Sequence, residues 1–256
     1  MKWISGKIRE IFQMSDPNRF LRIPEWYPVL AAHTFLTTFV RLRSEAQLLL
    51  AGKLADDRAV EEISERIIAD LRQPLSNISG PCFISVDTCA PTDTERFAKK
   101  GGAVFSAESV LRILRESKKV REAAQAGLVE NICIRHYRNI TAPREFRLFI
   151  RNGELNAMSQ YHLNRHYRRL EGVKDQYWET AQQLIEEVAW RLPLKNLVMD
   201  IYFTHSGKIL ILDLNPWGEP TSPLLLNSWG RDWETKAGIV LIPPPKTVKG
   251  DVNVSF

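Results

Sequence analysis

The sequence predicts an α+β protein built on antiparallel sheets, from two hairpins and the mixed order of helices and strands around them. The first hairpin joins Glu145-Phe-Arg-Leu-Phe-Ile-Arg151 to Glu154-Leu-Asn-Ala-Met-Ser-Gln160 and turns at Asn152-Gly153, the strongest short hairpin signal a sequence offers. The second runs Leu197-Val-Met-Asp200-Ile-Tyr-Phe-Thr-His-Ser-Gly207-Lys-Ile-Leu-Ile-Leu-Asp213-Leu-Asn215-Pro216 and turns at Ser206-Gly207.

Along the chain, Trp26-Tyr27-Pro28 opens an aromatic and β-branched segment that continues to about Val40. Between Asp56 and Arg72, Val60, Ile63, Ile67 and Leu71 recur at helical spacing with charges between them. Pro74 to Pro81 is a turn-rich break, and Cys82-Phe-Ile-Ser-Val86 then reads as a strand. A polar loop follows from Asp87 to Thr94, and Ser106 is placed to cap a helix that runs to Arg115. Asn131 to Tyr137 is the next strand. In the first hairpin, simple alternation puts Glu145, Arg147, Met158 and Gln160 on one face, with Phe146, Leu148, Ile150, Leu155 and Ala157 on the other. Asp175 to Arg191 is an amphipathic helix with Trp178, Ala181, Leu184, Ile185, Val188 and Ala189 inward. Past Trp233 the tail, with Pro243-Pro-Pro245, reads as extended and partly mobile.

The second hairpin carries the chemistry. Pairing His205 with Lys208, or closing a four-residue loop with Thr204 and Ile209, sets Asp200 directly opposite Asp213. Leu197, Met199, Ile201, Phe203, Leu210, Leu212 and Leu214 then share an apolar face, while Asp200, Asp213 and Asn215 share the other. Like charges opposed on a sheet repel. This face therefore calls for a cation, a shared proton or a basic partner. Three hard oxygen ligands suit Mg²⁺, which usually arrives with phosphates; a solvated face neutralised by a nearby arginine is the plainer alternative.

At 256 residues, 44% apolar and 25% charged, the chain has the composition of an ordinary globular protein large enough for one big domain or two intimate lobes. No apolar stretch is long enough to span a bilayer, and the first ten residues lack the apolar core of a signal peptide, so a cytoplasmic protein is expected. Cys82, Cys89 and Cys133 fit no zinc spacing and read as reduced thiols. The net charge of +5 suits an anionic ligand such as a nucleotide and permits nucleic acid without requiring it.

Several blocks together resemble one family. They are Glu145-Phe-Arg-Leu-Phe-Ile-Arg-Asn-Gly-Glu-Leu, Ser159-Gln160, Asp200-Ile-Tyr and Leu212-Asp-Leu-Asn-Pro-Trp-Gly-Glu-Pro220. With Trp26-Tyr27-Pro28, Ala90-Pro-Thr-Asp93 and Leu225-Leu-Asn-Ser-Trp229, they form in order the signature run of the cell division cycle protein 123 family, over roughly residues 20–232. The resemblance implies an ATP-grasp fold, in which two α+β lobes with antiparallel sheets clamp a nucleotide. It divides the chain into an N-terminal region and first lobe (1–130), a second lobe with the metal-type hairpin (131–232) and an extended tail (233–256). It implies ATP and Mg²⁺ as cofactors, with Asp200, Asp213 and Asn215 as the metal ligands and Arg147 as the residue that orients the γ-phosphate. It places the adenine hinge on the backbone of Ile132 to Ile134, followed by Arg135. Eukaryotic members assist assembly of translation initiation factor 2.

The chain departs from the family pattern in two places. Ser85 stands where a basic residue is usual, so Lys99 or Lys100, beside Gly101-Gly102, becomes the candidate substitute for the missing phosphate lysine. The family's Gln-Arg-Asp is Gln160-Tyr161-His162 here. His162 and His166 lie four apart without a carboxylate at zincin spacing and read as surface or nucleotide-proximal residues. Arg165-His-Tyr-Arg-Arg169 is a basic stretch with an aromatic inside it, either a solvated face or a contact for RNA or phosphate. No P-loop, Rossmann fingerprint or nucleophile elbow is present. The expectation is a Mg·ATP-binding protein. It acts as a ligase through an acylphosphate, as an ATP-dependent assembly factor for a protein partner without turnover, or as an RNA-joining enzyme; its partner beyond the nucleotide is accordingly a protein or an acidic or RNA substrate, with no membrane involved.

Overall fold

A computed structural model describes residues 18–245 of the chain. The expected absence of a signal peptide at the first ten residues, and the last part of the tail, lie outside the described residues. Two compact units emerge. The first runs to Ile140 and takes in 191–194 and 210–214; the second comprises 141–190, 195–209 and the chain from Asn215 onward.

The first unit begins with helix α1 (Ile23–Leu30), which contains Trp26, Tyr27 and Pro28. The extended segment expected there starts only at β1 (Thr37–Arg41). Burial of Ile23, Trp26 and Leu30 on one helical stripe outweighs the local signal of the aromatic run, and Pro28 is accommodated inside the helix. Helix α2 (Ser44–Leu50) had no distinct sequence signal. Helix α3 (Asp57–Ser76) is capped by Asp56, whose side chain accepts from Arg58 N, and it continues through Pro74 into the expected break. Strand β2 (Cys82–Val86) falls where expected. Helix α4 (Glu95–Lys100), strand β3 (Ala103–Val104) and helix α5 (Ala107–Glu116) follow, α5 capped by Ser106 through a 3.2 Å bond from Ser109 N. Helix α6 (Lys118–Gln125) then leads to β4 (Asn131–His136).

The four strands lie in the order β1-β4-β2-β3, all antiparallel. Alternation splits their residues. Val40, Ile84, Val86, Ile132 and Ile134 join a core with Leu49, Ile63, Ile67, Leu71, Val110 and Leu114 from the helices. Strand β4 therefore belongs to the first unit, although the sequence reading began the second lobe at residue 131.

The second unit holds β5 (Glu145–Arg151), β6 (Glu154–Gln160), the short α7 (Arg168–Glu171), α8 (Lys174–Val188), β7 (Leu197–Phe203), β9 (Gly238–Val240) and the two ends of β8 (Ile209–Pro216), whose middle, 210–214, falls in the first unit. The sheet order is β8-β7-β5-β6-β9. Asn152 (φ 54) and Gly153 (φ 80) both adopt the left-handed backbone that the tight turn demands. The pairing beyond that turn differs from simple alternation, because a bulge shifts the register between Phe149 and Ile150. Arg147 consequently pairs with Ser159, while Met158 and Gln160 pair with Leu148 and Phe146. The extra residue, Asn156, is held by its tertiary partners: Nδ2 donates to Trp233 O at 2.9 Å and its carbonyl accepts from Ala237 N at 2.9 Å. Tyr177 of α8 stacks on Phe203 at 3.9 Å between centroids, fixing the helix over one sheet face. Phe149, Ala157 and Val198 on the other face pack with Leu226 and Trp233.

The tail is more ordered than expected as far as residue 245. Trp233 is buried, and β9 runs parallel to β6 with Met158 opposite Ile239. No helix among the described residues is long and apolar enough to cross a membrane. The three cysteines are free thiols. Burial pushes Cys89 up to about 11 and Cys133 up to about 12.

Candidate functional site

Strands β5 and β7 pair so that Arg147 stands directly opposite Asp200. The guanidinium forks onto the carboxylate, Nε to Oδ1 at 2.7 Å and Nη2 to Oδ2 at 2.8 Å, while Nη1 donates to Ser222 O at 2.9 Å. Both residues are only 7% exposed, and the Arg147 guanidinium also lies 5.3 Å from the centroid of the Tyr161 ring. A bidentate buried pair of this kind is among the strongest polar contacts a protein makes. Arg147, the residue expected to orient the γ-phosphate, here holds Asp200 and a backbone carbonyl.

Asn215 joins this cluster, its Nδ2 donating to Asp200 Oδ2 at 3.1 Å. The route to that contact differs from the expected register. Thr204 N donates to Lys208 O at 2.8 Å and Gly207 N to Thr204 O at 3.1 Å, with Gly207 at φ 81, so the turn pairs Thr204 with Lys208. That is one residue out of the predicted pairing. Along β8, Ile209, Ile211 and then Leu214 are buried, so the alternation slips again near Leu212–Asp213. The two slips offset each other and return Asn215 to the face of Asp200. They also exchange Leu210 and Leu212 for Ile209 and Ile211 in the apolar row.

Asp213 falls in the first unit, where its charge acts on Arg135. Each of the two carboxylates thus has a basic partner, Arg147 for Asp200 and Arg135 for Asp213. The repulsion argument alone therefore does not demand a metal. The first unit's polar sheet face is built from Thr37, Phe39, Ser85, Cys133 and Arg135, which face each other across β1, β4 and β2. Tyr27 covers it, packing edge-on against Phe39 at 5.2 Å and accepting from Thr37 N at 3.1 Å.

Arg135 is 5% exposed, with Nε donating to Thr37 Oγ1 at 3.0 Å and Nη1 to Leu212 O at 3.1 Å. Its Nη2 is buried without an acceptor among the described residues. Burial pushes the Arg135 guanidinium down and Asp213, then Cys133 and Tyr27, push it back. Ser85 is 2% exposed; its hydroxyl lies near the Cys133 thiol but makes no hydrogen bond of normal geometry.

The expected hinge and the two candidate lysines are placed as follows. Ile134 lies between Thr38 of β1 and Ile84 of β2 and is fully buried on the helix-packed face. With neighbours on both edges of β4, its backbone pairs within the sheet. Lys99 is exposed and paired with Glu95 one turn earlier on α4, and Lys100 is exposed at the end of that helix. Asp87, read from sequence as the first residue of a polar loop, secures the start of β4: its carboxylate accepts from Glu130 N (2.6 Å), Asn131 N (2.7 Å) and Asn131 Nδ2 (2.7 Å).

Sequence reasoning also missed the Glu145–His162 pair, 2.8 Å apart. The hydrogen bond to Glu145 holds the His162 imidazole above its ordinary value, with burial pulling the other way. A raised folded-state value means the pair stabilises fully below about pH 6.5, where the unfolded histidine is also protonated, and its contribution is lost as pH rises through the folded value. Titration of His162 by NMR is expected to show a lower pKa in Glu145→Gln than in the parent chain. An unchanged value would mean that the pair is not formed in solution.

With this geometry described, comparison with known proteins places the chain. The D123 family model matches residues 64–233. The chain belongs to the D123 family. Relatives include the translation initiation factor eIF2 assembly protein of Vanderwaltozyma polyspora, 34% identical over 100 residues that span 38% of this chain and 27% of that protein. The protein of the same name from Xenopus laevis is 30% identical over 95 residues, 37% of this chain and 28% of its own length. The matched segment thus spans about a quarter of these relatives. Among solved structures, Cdc123 from Schizosaccharomyces pombe superposes with a TM-score of 0.69 at 19% identity, covering 87% of this chain and 96% of that one. The fold class is α+β, ATP-grasp, as the resemblance implied.

Proposed function

We propose that the chain binds Mg·ATP and serves as an ATP-dependent assembly factor for a protein partner of the translation-initiation type. The observation that carries the nucleotide part is the Asn215–Asp200 contact of 3.1 Å, which sets two of the three expected ligand residues side by side on one sheet face. The donor set fits Mg²⁺. A carboxylate offers about four lone-pair sites, and Asp200 uses three, one on Oδ1 and two on Oδ2. Because Asn215 donates through Nδ2, its amide oxygen is turned away from Asp200 and remains an acceptor. Asp200, Asp213 and Asn215 are the proposed ligands, and the ion would neutralise phosphate charge when bound.

Arg147 acts in this scheme as a positioning residue that fixes the Asp200 carboxylate. Arg135, with Nη2 uncommitted, is the first unit's candidate cation for an anionic group. The names of the relatives supply the partner class, and no observation in the chain marks an acceptor for acylphosphate chemistry.

Calorimetry of the full chain with ATP, with and without Mg²⁺, tests the reading, alongside Asn215→Ala and product analysis for ADP and AMP. Mg-dependent binding that falls about tenfold or more in Asn215→Ala, with no ADP or AMP released, is the expected result; a single lost metal ligand exceeds the roughly 1.4 kcal/mol that tenfold represents. Absence of nucleotide binding in the parent chain overturns it, and stoichiometric ADP release would favour the ligase instead.

A further inference from the structure

Outside these residues, the second unit carries an open cleft of about 350 Å³ lined by Pro143, Arg165, His166, Tyr167, Arg168 and Arg169. The three arginines are exposed and make no ion pair with any described residue, Glu171 on the next turn included. The segment that presents them is held in place. Gln160, fully buried, donates through Nε2 to the carbonyls of His162 and Arg165, the latter at 3.0 Å. His166 Nδ1 donates to Ile242 O at 2.9 Å, and the Tyr167 hydroxyl donates to Asn164 Oδ1 at 3.3 Å. Tyr167 is itself 8% exposed, with the Arg165 guanidinium 4.9 Å from its ring centroid.

Three like charges on a pinned, concave segment without a counterion repel one another, a cost that a polyanion removes. We propose that this cleft binds single-stranded RNA, with Arg168 and Arg169 on consecutive phosphates and a base stacked on the outer face of the Arg165 guanidinium. Arginine forks match phosphate oxygens bidentately. An acidic peptide would satisfy the same charges but has no plane to set against Arg165, whose inner face the Tyr167 ring already backs. Guanidinium planes are a regular stacking surface for unpaired bases.

The test is fluorescence anisotropy of the full chain, without nucleotide, against a labelled single-stranded RNA dodecamer, so that failure of the Mg·ATP reading leaves it untouched. Neutralising the two phosphates held by Arg168 and Arg169 predicts a log–log salt slope of about 1.4. The variant Arg165→Ala/Arg168→Ala/Arg169→Ala is expected to weaken binding by about tenfold or more and to flatten that slope, since each phosphate contact contributes to it. The control Lys53→Ala/Arg58→Ala/Arg72→Ala removes the same charge from exposed positions elsewhere and is expected to bind like the parent. Circular dichroism checks that both variants fold. Equal loss in the two variants, or none in either, overturns the site. A glutamate dodecamer that displaces the RNA at equal concentration overturns the ligand class and identifies an acidic peptide instead. Single-stranded DNA and duplex RNA of the same length are expected to bind less tightly, and equal binding by duplex would remove the stacking role of Arg165.

Discussion

Asp200→Ala is expected to lower the unfolding free energy by about 3–5 kcal/mol, the cost of stranding one member of a buried ion pair. Arg147 would keep its burial while losing both carboxylate bonds, two of the three hydrogen bonds described above for its guanidinium. Removing both charges is a different matter. Arg147→Met/Asp200→Leu is expected to recover most of the loss, because a hydrophobic pair of similar volume repays the desolvation that the ion pair never fully recovers. Urea unfolding of the parent, both single variants and the double variant measures the coupling directly. A loss below about 1 kcal/mol in Asp200→Ala would mean that the pair behaves like a solvated surface bridge. The same cycle separates stability from function, since Mg·ATP binding should fail in the stable double variant if Asp200 is a metal ligand.

That expectation reverses what the hairpin alone suggests. With only Asp200 and Asp213 in view, deleting a carboxylate promises relief from repulsion. The compensating arginine lies 53 residues upstream, on a strand whose pairing with β7 leaves no local trace. The limits of legibility are similar elsewhere. Strand boundaries in the first hairpin could be read from Asn152-Gly153 and apolar alternation, because both are local. Its facing pairs could not, because the bulge at Asn156 is stabilised by Trp233 and Ala237, and alternation has no memory of partners so far along the chain. Asn215 reached the face of Asp200 as expected, but through two register slips that offset each other. The cap residue Ser106 was legible, since a cap depends on its own first turn. Trp26 to Pro28 was not, since burial of one stripe decided the helix. The place of Ile134 between two neighbours was not legible either, because an isolated strand does not disclose whether it will lie at an edge or inside a sheet.

Ser85→Lys is expected to destabilise the first unit by about 3 kcal/mol or more, rather than to supply a missing phosphate ligand, because an unpaired buried charge costs several kcal/mol. From sequence, the position looks like a vacancy in a nucleotide site waiting for a cation. In the structure it is 2% exposed, opposite Cys133 in the sheet register, with Arg135 one pair further along the same face. A lysine there would bring a second cation beside a guanidinium that burial already pushes down. The added side-chain volume costs about 1–3 kcal/mol more in a packed setting. Serine suits the site for the same reason: it is small, neutral and compatible with the Arg135 charge. Ser85→Met, nearly the same length without the charge, separates the two costs. Thermal unfolding should rank the parent above Ser85→Met and Ser85→Met above Ser85→Lys, with the second gap widening as pH falls, because lower pH keeps the lysine protonated and its charge must be buried. Should Ser85→Lys instead match the parent in stability and tighten ATP in a Mg-dependent way, this face of the sheet would be open to phosphate, and Arg135 would share it with the new lysine.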